Sequence, residues 1–430
     1  MLYKLKIIML IGLLTLVACA ENEDTVEGIR LDLRPKAVSS SVASTNLKLP
    51  SVSVNSNWTQ RNGSKSHHLK HPALSDKPRK IWSATIGVGN KKRLRISADP
   101  IVAENHIFTL DAAANITAFN NSGEKVWSLN LKLNKSSKDK VSGGGLAYAS
   151  GMIAATTGSG EVILINASSG KIKWRHSALG TISAPPAFDG KKIIVMTGGK
   201  QAVALEASNG RIAWQQSSNT TGTGILGAGT PAISGNIVIL PYSSGEVQGV
   251  SLDNGLQIWS HIISGKRRGS AAGYVKAVSG DPVVFNDVVY VGNGSGRLTA
   301  INITSGRPNW TIQEGTIGPV WLSGNALFLI TDQQSLKRLD RKNGSEVWSV
   351  SLPIYKNAKR ETGKFVHFSP VLAGNRIYVA GTDGLIRVFD PTTGSLINSI
   401  SIKGKAASQV AVANEYMYVL SGSGKLIAFQ

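Results

Sequence analysis

The chain has 430 residues, 46 of them glycine, a single cysteine, and 47 Lys and Arg against 26 Asp and Glu, giving a net charge of +21. That length has room for two or three ordinary domains, yet no sustained helical periodicity runs through it, which excludes a helical bundle and leaves an all-β class. A charge of this size favours anionic partners.

The chain starts with a processing signal over residues 1–18. Lys4 and Lys6 form a short positive region, Ile7 to Leu14 are apolar, and Leu16-Val-Ala-Cys19 closes the segment. The apolar run is too short to span a bilayer. Its ending resembles the lipobox of bacterial lipoproteins, in which cleavage occurs before a cysteine that then carries acyl chains, palmitate among them. By that resemblance Cys19 is the lipidation site. Ala20 follows it, and the absence of Asp there implies the cell outer membrane, with the protein anchored by its N-terminal lipid and facing the periplasm. The leader carries two lysines and no acid, so its removal lowers the charge by two, to +19. An exported lipoprotein has no access to nucleic acid, which leaves acidic lipid, lipopolysaccharide, peptidoglycan or an acidic protein surface as anionic partners.

Residues 19–78 read as a flexible periplasmic tether. Glu21-Asn-Glu-Asp24 gives way to Ser, Val, Asn and Pro and then to Lys and His, without periodicity. About 60 flexible residues span roughly 45 Å root-mean-square, enough to hold a domain off the membrane. His67, His68 and His71 lie together, but no Cys or acid stands at metal-ligand spacing from them. Trp58 is the residue able to dock this arm onto the rest of the protein.

From residue 79 to 430 one unit recurs. Leu164-Ile-Asn-Ala-Ser-Ser-Gly-Lys-Ile-Lys-Trp174 is typical: an apolar strand ends in Asn or Asp, a polar turn closes on Gly, and a second strand carries Trp four residues later. The anchors are Trp82, Trp127, Trp174, Trp214, Trp259, Trp310 and Trp348, and in a decayed eighth copy Asn398 replaces the tryptophan. Glycine takes positive φ at little cost, so each unit reads as a hairpin. Another strand pair precedes each one, as in Pro282-Val-Val-Phe-Asn-Asp-Val-Val-Tyr-Val291. Anchor spacings of 38 to 51 residues match four-stranded β-propeller blades. Eight first-strand pairs are countable. The last unit stops after its third strand at Gln430, while Arg79-Lys-Ile-Trp82 is a fourth strand with nothing before it. The two fragments predict an eight-bladed β-propeller closed by pairing of the N-terminal and C-terminal strands, which also removes open sheet edges.

In a propeller the blade-to-blade connections share one face with the second-to-third strand loops, and that face is where function concentrates. Gly265-Lys-Arg-Arg-Gly-Ser-Ala-Ala-Gly-Tyr-Val-Lys276 is its most distinctive segment, with Arg267, Arg268, Tyr274 and Lys276 as candidate contacts; the alternative is a solvated connection. Thr223-Gly-Ile-Leu-Gly-Ala-Gly-Thr-Pro231 places Ile225 and Leu226 in an otherwise polar link, either as partner anchors or folded back over the blade end. Gly292-Asn-Gly-Ser-Gly296 mimics a nucleotide loop but lies between two strands and reads as a turn. No Ser/His/acid elbow, HExxH helix or metal spacing is present, which argues against an enzyme, a cofactor and a small-molecule substrate.

Taken together, the lipobox and the Leu-Asn/Asp-x-x-Ser/Thr-Gly-x-x-x-Trp unit repeated around eight blades resemble the BamB family. These are lipoproteins of the outer-membrane β-barrel assembly (BAM) complex with quinoprotein-like repeats. The resemblance implies a non-catalytic scaffold that binds the POTRA domains of BamA and other BAM subunits and assists insertion of barrel proteins. The family's partner loop carries hydrophobic-x-hydrophobic-Arg-Gly before a strand-starting Pro. Its positions fall on Thr223, Ile225, Leu226 and Gly227, with Leu226 where Arg is usual. The neighbouring Asp-x-Asp pair is replaced by Ala277 and Ser279, leaving Asp281 as the nearest acid. Pyrroloquinoline-quinone (PQQ) dehydrogenases share the repeat and are the enzymatic alternative. They carry adjacent cysteines, which one cysteine in a leader cannot supply, and acidic calcium ligands in the central channel.

Overall fold

A computed structural model describes residues 46–132, 142–178, 180–220, 229–263, 278, 280–316 and 318–430. Eight antiparallel four-stranded sheets make up the architecture, together with one small hairpin, Tyr355–Asn357 with Thr362–Lys364. Seven sheets are built from consecutive strands: blade 1 (101–130), blade 2 (146–177), blade 3 (187–217), blade 4 (232–262), blade 5 (283–312), blade 6 (321–351) and blade 7 (371–401). Blade 8 takes three strands from 411–429 and its fourth from Lys80–Thr85. First strands touch first strands of neighbouring blades, and that of blade 1 touches that of blade 8, so the array is a closed ring with its first strands innermost.

Closure follows the register that the two chain fragments suggest. Trp82 sits opposite Ala428 and Thr85 opposite Lys425, and the backbone amides of Arg79 and Gln430 each donate to the other's carbonyl at 2.8 and 3.0 Å. Inner strands are buried on both faces by the neighbouring blades, which is why they read as continuous apolar runs such as Ile237-Val-Ile-Leu-Pro241 rather than alternating ones. Fourth strands face water on one side. Their exposure alternates, as in Lys125–Asn130, and the tryptophan is a half-buried or buried member of the alternation.

In blades 1, 2, 5, 6 and 7 the residue that ends the third strand bonds the third-to-fourth turn in the same way, whereas in blades 3 and 4, where Glu206 and Ser251 end the strand, Asn209 and Asn254 inside the turn do so. Asn302 Oδ1 accepts from the amides of Thr304 and Ser305, and Asp390 Oδ1 from those of Thr392 and Thr393. A short carbonyl side chain at the end of the third strand thus bonds the turn that follows it, which explains the recurring Asn or Asp.

Candidate functional site

The tryptophans hold blade to blade. Each indole Nε1 donates to a carbonyl in the next blade's turn: Trp82 to Asn121, Trp127 to Ala167, Trp174 to Ala207, Trp214 to Leu252, Trp259 to Ile303, Trp310 to Arg341 and Trp348 to Pro391. The ring plane covers that turn's glycine. At Gly210, with φ +73, a Cβ would come within 2.8 Å of the Trp174 indole, so only glycine admits both the left-handed backbone and the aromatic cover. Asn398 is the informative exception. The turn it would clasp, between the third and fourth strands of blade 8, does not exist, because those strands come from opposite ends of the ring-forming chain. A cavity of about 460 Å³ lies there, lined by Pro78, Arg79, Val388, Ile397, Asn398 and Ile400.

The structure departs from the expected tether over residues 46–78. This segment does not stand away from the ring but bonds to all eight blades. The inner edge of every first strand has backbone groups with no partner inside its own blade, and burying them unbonded is costly. The arm supplies the partners. Trp58 exchanges both backbone bonds with Val102 of blade 1 at 2.8 Å, and the Thr59 carbonyl accepts from Tyr148 of blade 2. The Gln60 side-chain amide pairs with both backbone groups of Phe188 in blade 3. Lys65 and Ser66 carbonyls accept from Ile233 of blade 4 and Val284 of blade 5. In blade 6 it is the Ser323 hydroxyl that donates to the Lys70 carbonyl, while the Gly374 amide of blade 7 donates to Pro72 and the Asn414 amide of blade 8 to Asn55. Trp58 is fully buried and stacks on Trp321 at 6.0 Å, so it docks the arm as its position suggests.

Arg61 marks the axis. Its guanidinium binds Asp99, just before blade 1, and Asp281, just before blade 5, the latter at 2.7 Å. Blades 1 and 5 are opposite each other, so one side chain spanning both lies on the ring's centre line. Burial pushes the Asp99 carboxyl up despite Arg61, whereas Asp281 is held below the usual carboxylate range by Arg61, His67 and the Thr230 amide, which together outweigh its burial. The two carboxylates keep Arg61 protonated against the cost of its own burial.

The histidines go to separate partners. His67 Nδ1 donates to the Pro282 carbonyl at 2.7 Å, and burial lowers its pKa to about 4. His68 packs at 4.4 Å on Phe285 and is likewise lowered to about 4, chiefly by burial. His71 Nδ1 donates to the Pro50 carbonyl and its Nε2 accepts from the Asn375 amide.

Of the expected partner-binding residues, Thr223, Ile225, Leu226, Gly227, Arg267, Arg268, Tyr274 and Lys276 lie outside the described residues, as does Cys19. Asp281 is described and is not an exposed acid: it is buried, with Oδ2 on Arg61 and Oδ1 accepting from the Thr230 amide at 2.6 Å. Thr230 ends the connection between blades 3 and 4. At the other end, the buried Glu246 accepts from the Asn219 amide at 2.8 Å and from Ser218, Gln248 and Ser260. These donors lower its pKa against its burial. Two buried carboxylates therefore pin the two stems from which the Ile225/Leu226 segment departs. Single-residue patterns gave no sign of this, since the pairs that hold the stems, Asn219 with Glu246 and Thr230 with Asp281, are 27 and 51 residues apart.

A family profile described as "Outer membrane protein assembly factor BamB" matches residues 112–350 and 337–430. The chain belongs to the BamB family. A BamB of Shewanella oneidensis is 25% identical over 362 residues, covering 81% of this chain and 88% of its own. The crystal structure of BamB from Moraxella catarrhalis matches 82% of this chain and 100% of its own with a TM-score of 0.68 at 18% identity. Quinohemoprotein alcohol dehydrogenase from Comamonas testosteroni matches 87% of this chain and 80% of its own with a TM-score of 0.67 at 12% identity. At those identities the two structures report the shared propeller alone, so the ring by itself does not separate BamB members from quinone enzymes. The axis does. In this chain Arg61 bridges Asp99 and Asp281 and the 46–78 arm bonds the inner strands, so these two acids are not free to hold a calcium ion beside a quinone.

Proposed function

We propose that this chain is a non-catalytic scaffold of outer-membrane β-barrel assembly, lipid-anchored through Cys19 on the periplasmic side of the outer membrane. It docks POTRA domains of a BamA-type partner and works beside the other subunits of that machinery. The supporting observation is the paired stem of the connection between blades 3 and 4, where Glu246 and Asp281 hold Asn219 and Thr230 so that a short apolar segment departs from a rigid rim. Recognition by a few apolar side chains on fixed stems suits a protein partner, because fixed stems lower the ordering cost of association. The 264–277 connection, with Arg267, Arg268, Tyr274 and Lys276, is the second contact in this reading.

The test is capture of the partner by the purified lipoprotein. Ile225→Asp with Leu226→Asp abolishes capture while the circular dichroism and melting of the ring stay unchanged. Undiminished capture by this variant sinks the docking assignment. The same capture in rising salt separates an apolar anchor, which persists, from charge-driven envelope binding to lipopolysaccharide or peptidoglycan, which weakens steeply.

A further inference from the structure

Residues 46–78 are built as an occupant of the ring rather than as part of any blade. We propose that this arm is a reversible plug, seated at neutral pH and released from an intact ring by protonation of His67 and His68. The geometry points to it in three ways.

First, each histidine is seated where a second proton has no acceptor. His67 is fully buried; Nδ1 is committed to Pro282, and Nε2 has no protein partner. The charged groups near it are Arg61, which repels an imidazolium, and Asp281, whose oxygens are already taken by Arg61 and the Thr230 amide. His68 Nε2 is also buried without a protein partner, and its ring rests on Phe285. Arg341 lies over that same Phe285 ring at 4.6 Å, and Lys70 is the other nearby charge, so both charged groups facing His68 are positive.

Second, the seat is incompletely bonded. Asn55 Oδ1, Trp58 Nε1 and Asn62 Oδ1 of the arm are buried without a protein partner, as are Trp321 Nε1, the Gln409 amide and Asn414 Nδ2 of the ring. Undocking therefore forfeits few bonds at these atoms. Third, Asp99 is pushed up by burial, so it gives up its charge, and with it half of the Arg61 clamp, earlier in an acid titration than an exposed carboxylate does.

The sign is that of buried neutral bases. Both histidines have docked pKa values near 4 against 6.5 when free, so docking is fully supported above pH 6.5 and weakens as pH falls toward 4. At pH 5 each histidine alone weakens docking roughly 30-fold, and the two together on the order of 10³-fold.

Hydrogen exchange of the full chain, corrected for intrinsic rates, reads this directly from pH 7.5 to 4.5. The expected result is loss of protection in 46–78 and at the amides it caps, Ile233 and Val284, while the second and third strands of the blades stay protected. The His67→Asn, His68→Asn double variant keeps a side-chain donor and cannot titrate, so its arm stays seated at pH 5. The ring has its own buried histidine, His367, beside Arg387 and Asp383, and His367→Gln leaves the release midpoint where it is. An arm that stays protected in the natural sequence at pH 4.5 overturns the proposal. So does simultaneous loss of protection in arm and blades, or an unchanged midpoint in the double variant. If the double variant does not seat at neutral pH, the single variants decide, each expected to reduce the pH slope.

Discussion

Replacing Gly210 with alanine isolates what the tryptophan clasp contributes, because the ring contains a matched control. Gly210 has φ +73 and lies under Trp174; Gly151 has φ +74 and nothing within 4 Å of where a Cβ would sit. Both substitutions force an L-residue into the left-handed region, at about 1–2 kcal/mol each, and both restrict the unfolded chain alike. Only Gly210→Ala drives a methyl to 2.8 Å from two indole carbons, well inside ordinary contact. The indole must move by about half an ångström, straining its packing and the Nε1 bond to Ala207, for a further cost of about 1–3 kcal/mol. Gly210→Ala is thus about 2–5 kcal/mol less stable than the natural chain, and Gly151→Ala only about 1–2 kcal/mol. Urea unfolding followed by far-ultraviolet circular dichroism measures both, and the Trp174 indole resonance reports whether the clasp has shifted. Equal losses in the two variants would show that the glycines serve turn geometry alone and that the blade-to-blade clasp is incidental.

Arg61→Met strands two buried carboxylates and lowers stability by about 3–5 kcal/mol, whereas adding Asp99→Asn and Asp281→Asn to it recovers much of that loss; thermal melts of the three proteins check this. Gln60→Ala leaves the amide and carbonyl of Phe188 unpaired, costing about 1–3 kcal/mol and raising protease cleavage in the arm, read by limited digestion. Asn398→Trp gives no gain in melting temperature, since blade 8 has no turn to receive an indole, while Trp348→Asn lowers it. Glu246→Gln keeps the shape of the stem but removes the charge that accepts five donors, so it weakens partner capture with little change in the blades, read by the same pull-down as the Ile225 and Leu226 variants.

The ring was legible because its determinants are local and repeated. An Asn or Asp, a Gly and a Trp at fixed spacing specify the turn, and the orphan strand at Trp82 specifies closure. Even the loss of tryptophan at Asn398 has a cause written into that count, since the copy that lacks a turn follows it. The arm was not legible for the opposite reason. Gln60, Lys65, Ser66 and Pro72 each meet a different blade, with partners from Phe188 to Gly374, and no periodicity accompanies such contacts. Irregular sequence rich in Ser, Asn and Lys therefore reads as a free linker although the ring's unpaired inner edges give it a place. Asp281 shows the same limit: the family resemblance pointed to it as the nearest acid, but only the fold reveals that its oxygens face inward.

Order of synthesis adds a constraint. The strand that shuts the ring is among the first to emerge and its mate among the last, and the arm that bonds every blade precedes them both. The Lys80–Thr85 strand cannot reach its final bonds until residues 425–429 have appeared. Ring closure is consequently the last strand pairing the chain can make, in whatever order the seven blades of consecutive strands form.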